Sequence, residues 1–377
     1  DTGFYVYGNL KARGTAAQPI LLTGIKQQPA GWWGLRVSGG SAELDHVTIE
    51  YGGEDTEDWG GNLSVSSAVI TVTNSILRNS GSHGLFSDGG SPDEPNSVKV
   101  SNTTITGSRL AAVVCADESC NYDFNNLTVN GNGTDGIVYR SFAMTGGTWR
   151  NLGLPYIIEG QGGVGDDAVL TIEPGVEVRM MPESSFAVHG VLSAVGTPDN
   201  PIYFTGATKQ AGSWQGIQVD NGGVAELRYC DIGYGGNWGI PDGGALLMTQ
   251  SSSLSLSNCR IHDSSSSGIM VVAGAKPTIR NNSIENNRIG LTAVFPLEQV
   301  DARFNWWGHA SGPKHENNPN GQGQQIAGNV AFEPWLNSPD DTGGGVSGIT
   351  VDLSGPGRFA PGQTVIYSIF YHNGTGA

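Results

Sequence analysis

The chain has 377 residues, of which 58 are glycine and 14% are charged, and its formal net charge is −16 at pH 7. This acidity argues against nucleic-acid binding, which needs a basic surface. No apolar run is long enough to span a bilayer. Abundant Gly, Asn and Ser favour short strands and tight turns. We therefore expect an all-β protein with almost no helix.

The sequence contains an internal duplication. Residues 186–206 (FAVHGVLSAVGTPDNPIYFTG) match residues 4–24 (FYVYGNLKARGTAAQPILLTG) at 11 of 21 positions, with an offset of 182. Each copy has short stretches of alternating apolar residues separated by a Gly-Thr turn. Two further strand patterns around a Pro-Gly turn precede the second copy at residues 168–180, and the first copy has no such partner. The duplication predicts stacked repeat units, and the asymmetry predicts a piece of a longer polypeptide.

A finer period runs through both halves. In five units an Asn stands three residues before an apolar residue, and adjoining units are spaced 28, 24 and 23 residues apart. These residues are Asn74, Asn102, Asn126, Asn258 and Asn281. Asn tolerates the left-handed backbone of a sharp corner, and its amide can bond an identical amide one turn away. The spacing favours a three-sided parallel β-solenoid with an Asn ladder at a fixed corner over antiparallel hairpins.

Several segments resemble secreted bacterial and archaeal right-handed parallel β-helix repeat proteins. They are residues 170–176, 188–197 and 201–205, together with residues 304–313, which look like the closing motif of such helices. The resemblance implies a right-handed parallel β-helix and an extracellular or cell-surface setting. It does not specify an activity, because members range from adhesive or structural proteins to sugar-processing enzymes.

The expected domain organisation follows from this resemblance and from composition. Residues 1–337 are expected to form the β-helix, with two related halves at about 1–150 and 151–337. Residues 338–347 are a linker by composition. Residues 348–377 look like the first strands of an immunoglobulin-like surface-repeat domain. Two strands cannot form a sandwich, so this domain is either truncated or completed by strand exchange.

The sequence predicts no catalytic residues. A Gly-Ser-His-Gly run around His83 superficially matches the Gly-His-Gly element of polygalacturonase-like hydrolases, and Asp166 and Asp167 match their paired aspartates. In that family, however, the aspartates precede the His. We therefore interpret His83 as a turn residue.

Two loops carry weak binding signals. Trp59 and Trp238 occupy equivalent loops of the two halves and are candidate sugar-stacking residues. The loop before Trp59 is acidic and could hold Ca²⁺, which prefers oxygen ligands, although it lacks the alternation of an EF-hand loop and a solvated loop is favoured. Its candidate ligands are Glu54, Asp55, Glu57 and Asp58. No other cofactor is indicated.

The four cysteines form two pairs. Cys115 and Cys120 bracket four residues, and we predict a disulfide between them. Cys230 and Cys259 occupy the same slot of neighbouring turns, within disulfide range at the spacing of about 4.8 Å between strands. Since Val and Ser fill that slot elsewhere, a buried unbonded pair is favoured over a second disulfide.

Two functional hypotheses follow. The first is a non-catalytic extracellular structural or adhesive protein, a fragment or subunit of a larger cell-surface or filament-forming polypeptide. It would self-assemble through the solenoid ends or by strand exchange. The alternative is a carbohydrate-active β-helix that binds a polysaccharide or acts as a lyase or hydrolase. Neither hypothesis involves nucleic acid or a membrane span.

Overall fold

The computed structural model describes residues 2–53, 60–90, 96–117, 119–144, 146–239 and 244–339, and strands 349–354 and 368–373. At residues 119–120 and 141–143, and in the last two strands, only the backbone is described. The described residues form strands and turns without a helix, which confirms the all-β expectation.

The described strands follow one another with short connections. In chain order they are β1 (Phe4–Val6), β2 (Asn9–Arg13), β3 (Ile20–Thr23), β4 (Leu35–Asp45), β5 (Val47–Glu50), β6 (Gly61–Thr73), β7 (Ile76–Arg78), β8 (His83–Asp88), β9 (Asn96–Thr106), β10 (Ala111–Cys115), β11 (Ser119–Asn130), β12 (Thr134–Met144), β13 (Gly147–Trp149), β14 (Tyr156–Val164), β15 (Val169–Ile172), β16 (Glu177–Met180), β17 (Ser185–Val188), β18 (Val191–Val195), β19 (Ile202–Gly206), β20 (Gly216–Val219), β21 (Val224–Arg228), β22 (Cys230–Gly233), β23 (Ala245–Thr249), β24 (Ser253–Ser257), β25 (Arg260–His262), β26 (Ser267–Val272), β27 (Lys276–Arg280), β28 (Ser283–Glu285), β29 (Ile289–Val294), β30 (Val300–Asp301), β31 (Ile326–Ala327), β32 (Val330–Ala331), β33 (Ile349–Ser354) and β34 (Ser368–Asn373).

Two ladders of parallel strands run through both halves, so the turns are stacked on one another. The first contains β1, β4, β6, β8, β10, β12, β14, β16, β19, β22, β25 and β28. The second contains β2, β4, β6, β9, β11, β12, β14, β17, β20, β23, β26, β29 and β31.

A separate third ladder completes the turns in each half. The two are different sides of the duplicated unit, because β2 and β3 of the first copy correspond to β18 and β19 of the second. In the first half it contains β3, β5, β7 and the ends of β9 and β11. In the second half it contains β13, β15, β18, β21, β24 and β27, with β30 and β32 pairing beyond them. Three parallel ladders confirm the predicted parallel solenoid, and every pairing among the described strands from β1 to β32 is parallel, unlike a stack of antiparallel hairpins.

Alternation along each strand fills the interior. In β17, Phe186 and Val188 are fully buried and Ala187 between them faces outward. In β24, Leu254 and Leu256 are buried between exposed serines. Because side chains alternate with period two, every turn contributes apolar residues to one continuous core.

An aromatic cluster fills the core where the two halves meet. Trp149 stacks on Tyr156 with ring centroids 4.8 Å apart, and Tyr139 lies 5.3 Å from Trp149. Phe186 contacts the edge of this cluster and packs against Phe204 at 6.2 Å. Large buried rings such as these contribute much apolar area to the core. The two related halves therefore share one core.

The five corner asparagines all adopt the left-handed conformation, with φ between 48° and 57°. In the first half their amides form a chain. Asn126 donates to Asn102 at 2.7 Å, Asn102 donates to Asn74 at 3.4 Å, and Asn74 donates to the Asp45 carboxylate at 2.8 Å. The other two corner residues stand side by side at the ends of β24 and β27.

A second set of asparagines lies inside the column. Asn282, Asn287 and Asn305 are buried, and each makes the same pair of bonds to the preceding turn. The side-chain oxygen accepts the backbone N–H of the residue 23 positions earlier, at 2.9–3.0 Å. The side-chain NH₂ donates to the carbonyl 26 positions earlier, at 2.8–3.0 Å. These side chains join consecutive turns where the strands turn a corner and the backbone ladder is interrupted.

The segment after β30 covers the last turns. Trp307 is fully buried, and the indole N–H of Trp335 donates to the Ala310 carbonyl at 3.0 Å. Phe332 is buried between His315 and Trp335. Beyond this segment, β33 and β34 pair as an antiparallel hairpin. None of the described residues form a helix with the length and apolarity that a membrane crossing requires.

Candidate functional site

A groove that combines polar and apolar residues lies on the outer side of the second ladder. It has a volume of about 370 Å³ and is lined by residues of β14, β17 and β20, with Trp238 at its rim. Three glutamines line it: Gln161, Gln215 and Gln218. Cα pairing places Gln161 opposite Ser185 and places Ala187 opposite Gln218. Outward positions of three consecutive turns therefore contribute to one surface.

The groove contains one coupled polar pair. His189 Nε2 lies 3.0 Å from Asp220 Oδ1, and the Gln218 amide donates to Asp220 Oδ2 at 2.6 Å. His189 and Asp220 directly follow β17 and β20, so the sheet register brings them together. No Lys or Arg lines the groove among the described residues. The arrangement combines one carboxylate, one imidazole and several neutral amides, which suits recognition by hydrogen bonding.

Trp238 is the predicted sugar-stacking residue that the structure describes. Its indole N–H donates to the Ala245 carbonyl at 2.7 Å, and the ring is half-buried at the edge of the groove. This bond fixes the position of the ring. The equivalent residue, Trp59, and the candidate calcium ligands Glu54, Asp55, Glu57 and Asp58 lie outside the described residues. In the part of the chain that the structure describes, no group of three or more His, Cys, Asp or Glu side chains could hold a metal ion.

His83 is buried in the wall of the column. Its Nδ1 accepts the backbone N–H of Ala111 at 3.1 Å, and its ring stacks on Phe86. His83 is the first residue of β8, so the interpretation of His83 as a turn residue is off by one position.

Cys115, Cys230 and Cys259 are buried in the turns where the sequence placed them. Cys230 and Cys259 carry free thiols, and the Cys230 backbone N–H donates to the Cys259 sulfur at 3.3 Å. Burial raises the pKa of the Cys230 thiol, which keeps it protonated and unreactive. Cys115 is also buried. The side chain of Cys120 lies outside the described residues, so the Cys115–Cys120 disulfide stays a prediction.

A second titratable cluster surrounds His262 at the end of β25, where the ring is almost fully buried. Its Nδ1 lies 2.7 Å from Asp263 and its Nε2 lies 2.8 Å from Asp231. Burial alone lowers the pKa of His262, but the two carboxylates more than offset this effect and the pKa is raised. Tyr234 covers the ring edge-on at 5.1 Å. The cluster is an ion network in which the imidazole is buried and both carboxylates are partly exposed.

Sequence reasoning missed the groove residues and the buried asparagines. A signal for the asparagines exists in the doublets Asn281-Asn282 and Asn286-Asn287, in which the first residue takes the left-handed corner and the second points inward. For the groove, the period-two alternation of β20 marks Gln218 as outward-facing. Only the register of β14, β17 and β20 shows which outward residues are neighbours.

Comparison with known proteins supports the fold and no specific activity. A family model described as "Right handed beta helix region" matches residues 194–300, which is under a third of the chain. The matched segment runs from β18 to β30, and together with the parallel ladders it supports a right-handed β-helix. The family includes carbohydrate-active enzymes as well as adhesive or structural proteins. No match was found among curated proteins or among solved structures.

Proposed function

We propose that this chain is a non-catalytic, extracellular structural or adhesive rod, a fragment or subunit of a larger cell-surface or filament-forming polypeptide. The observation that carries the proposal is the continuity of the parallel ladders from β1 to β31. Two ladders continue through both halves, a third ladder joins the turns within each half, and buried asparagines join successive turns at corners. Such a column resists bending and presents long, regular outer surfaces.

The first described turn has an edge to which a further strand can pair, supplied either by the longer polypeptide or by a second copy. Within the described residues β1, β2 and β3 pair on one side only, with β4 and β5. Phe4 is 41% exposed, whereas its counterpart in the second copy, Phe186, is fully buried beneath the preceding turn. Unpaired backbone beside exposed apolar side chains accepts a further strand. End-to-end stacking or strand exchange would use this edge.

Analytical ultracentrifugation over a wide concentration range tests the assembly. The wild-type chain should associate as its concentration rises, and Leu21→Lys should weaken association because a lysine on an edge strand opposes pairing. Val169→Lys is the matched control, since Val169 is 51% exposed, as Leu21 is at 52%, but its strand is paired on both sides. Monodisperse monomers at every concentration would refute the assembly proposal.

The cell-surface location is supported by the resemblance to secreted β-helix proteins. We propose that the β33–β34 hairpin begins an immunoglobulin-like module of the kind found in surface polypeptides. Labelling intact source cells with an antibody raised against this chain tests the location. Signal confined to permeabilised cells would contradict it.

The alternative function is a carbohydrate-active β-helix, and the groove beside Trp238 favours its binding form. Incubating neutral and acidic polysaccharides with the chain, with and without Ca²⁺, tests for cleavage. New reducing ends or unsaturated products would overturn the non-catalytic proposal. A Ca²⁺ requirement would direct attention to the acidic loop at residues 54–58.

A further inference from the structure

We infer that the groove formed by β14, β17 and β20 binds a neutral oligosaccharide. The hydrogen-bonding groups would be Gln161, Gln215 and Gln218, and Trp238 would supply an apolar wall. This inference rests on the carbohydrate-binding alternative proposed above and assigns it a site and a ligand class. The groove volume of about 370 Å³ lies at the lower end of the range typical of small-molecule sites, about 300–1,000 Å³.

The glutamine amides are available to a ligand. Within the described residues the side chains of Gln161 and Gln215 have no hydrogen-bond partner. Gln218 donates to Asp220, which orients its amide and leaves its oxygen able to accept. An amide has two N–H donors and an accepting oxygen. Sugar hydroxyls also both donate and accept, so neighbouring amides can bond several hydroxyls of one chain.

The shape of the groove permits close approach. Its lining includes three small residues, Gly163, Gly165 and Ala187, beside the longer side chains. Strands of neighbouring turns are about 4.8 Å apart, so the strands that carry Gln161 and Gln218, two turns apart, are about 10 Å from each other. Trp238 is held at the rim by its bond to Ala245 and can cover the apolar face of a sugar ring without reorganising.

Charge selects a neutral ligand. The groove carries the Asp220 carboxylate, and its one cationic candidate, His189, is already placed 3.0 Å from that carboxylate. An acidic sugar would bring a second carboxylate beside Asp220 without a free cation to balance it. The net charge of −16 adds long-range repulsion of acidic polysaccharides.

Binding of the full chain to neutral and acidic oligosaccharides, by glycan array and then titration calorimetry, tests the inference. Neutral glycans should bind. Gln161→Ala and Gln215→Ala should each weaken binding by roughly three- to tenfold, as expected for one neutral hydrogen bond. Gln18→Ala is the matched control, because Gln18 is exposed in a turn away from the groove. Unchanged circular dichroism and melting temperature would establish that the variants fold.

The other outcomes each overturn a defined part of the inference. If the groove variants bind neutral glycans as well as Gln18→Ala does, the assigned site is wrong and carbohydrate binding stands. If acidic glycans alone bind, the ligand class is wrong. If no glycan of either class binds, both this inference and the carbohydrate alternative are refuted, and the structural function is unaffected.

Discussion

Replacing Asn282 with Ala should destabilise the β-helix by several kcal/mol without touching its surface. Asn282 is 1% exposed, and it satisfies the Cys259 N–H and the Leu256 carbonyl of the preceding turn. Alanine leaves the Cys259 N–H buried without its partner and removes one bond to the Leu256 carbonyl, which also lies in the β24–β27 ladder. The unsatisfied N–H should cost about 1–3 kcal/mol and the lost carbonyl bond about 0.5–1.5 kcal/mol, so the substitution should cost about 1.5–4.5 kcal/mol.

The neighbouring residue provides the control. Asn281 is exposed and occupies the left-handed corner with φ 57°. Glycine adopts that conformation without strain, so Asn281→Gly should change stability by less than about 1 kcal/mol. The two variants alter adjacent positions of the same turn. Asn282→Ala removes a side chain that is hydrogen-bonded to the preceding turn, whereas Asn281→Gly removes an exposed side chain.

Urea unfolding monitored by circular dichroism gives the free energy of unfolding by linear extrapolation. Hydrogen exchange of the Cys259 amide adds a local measurement, because a stack of turns can open locally before it unfolds globally. That amide should exchange faster in Asn282→Ala and at the wild-type rate in Asn281→Gly. Equal stability of the two variants, within about 1 kcal/mol, would refute the assigned role of the buried asparagines.

Three further predictions concern titratable groups. Hydrogen bonds from the Thr73 hydroxyl and from the Asn74 amide lower the pKa of Asp45 to about 2. Asn74→Ala should raise this pKa in an NMR titration. The stability that the ionised Asp45 contributes should be lost as the pH falls through its pKa. The pKa of His262 is raised in the folded protein, so its contribution to the free energy of unfolding is complete below the unfolded pKa of about 6.5 and is lost as the pH rises through the folded pKa. The stability of the wild type should therefore fall more than that of His262→Gln between pH 5 and pH 9. Parallel curves of stability against pH would contradict this prediction. Under denaturing, non-reducing conditions an alkylating reagent should modify two thiols per chain if Cys115 and Cys120 are joined, whereas four modified thiols would disprove that disulfide.

The sequence predicts the architecture well because the fold depends on features that repeat. The apolar period of two and the corner asparagines recur in many turns, and the duplication at an offset of 182 repeats a whole segment, so one misread unit does not change the result. The site depends on a single neighbourhood. Gln161 and Gln218 are 57 positions apart, and they share a groove only because β14, β17 and β20 stack in one particular register. Composition carries no signal for that register.

Comparing the two copies of the duplicated segment distinguishes the positions that maintain the fold from those that vary on its surface. The positions that match between the copies are mainly inward or turn positions, such as Val6 with Val188, whereas outward positions differ. At the positions equivalent to Ala187, His189, Gln215 and Gln218, the first copy carries Tyr5, Tyr7, Trp33 and Arg36. There the two tyrosine rings stack 6.4 Å apart, and the guanidinium of Arg36 lies 4.9 Å from the centre of the Trp33 ring. One backbone pattern therefore presents an aromatic and cationic surface around β1 and β4 and an amide-rich groove beside β14, β17 and β20. Two such different surfaces on one scaffold favour the proposed adhesive function, since a purely mechanical spacer would not require them.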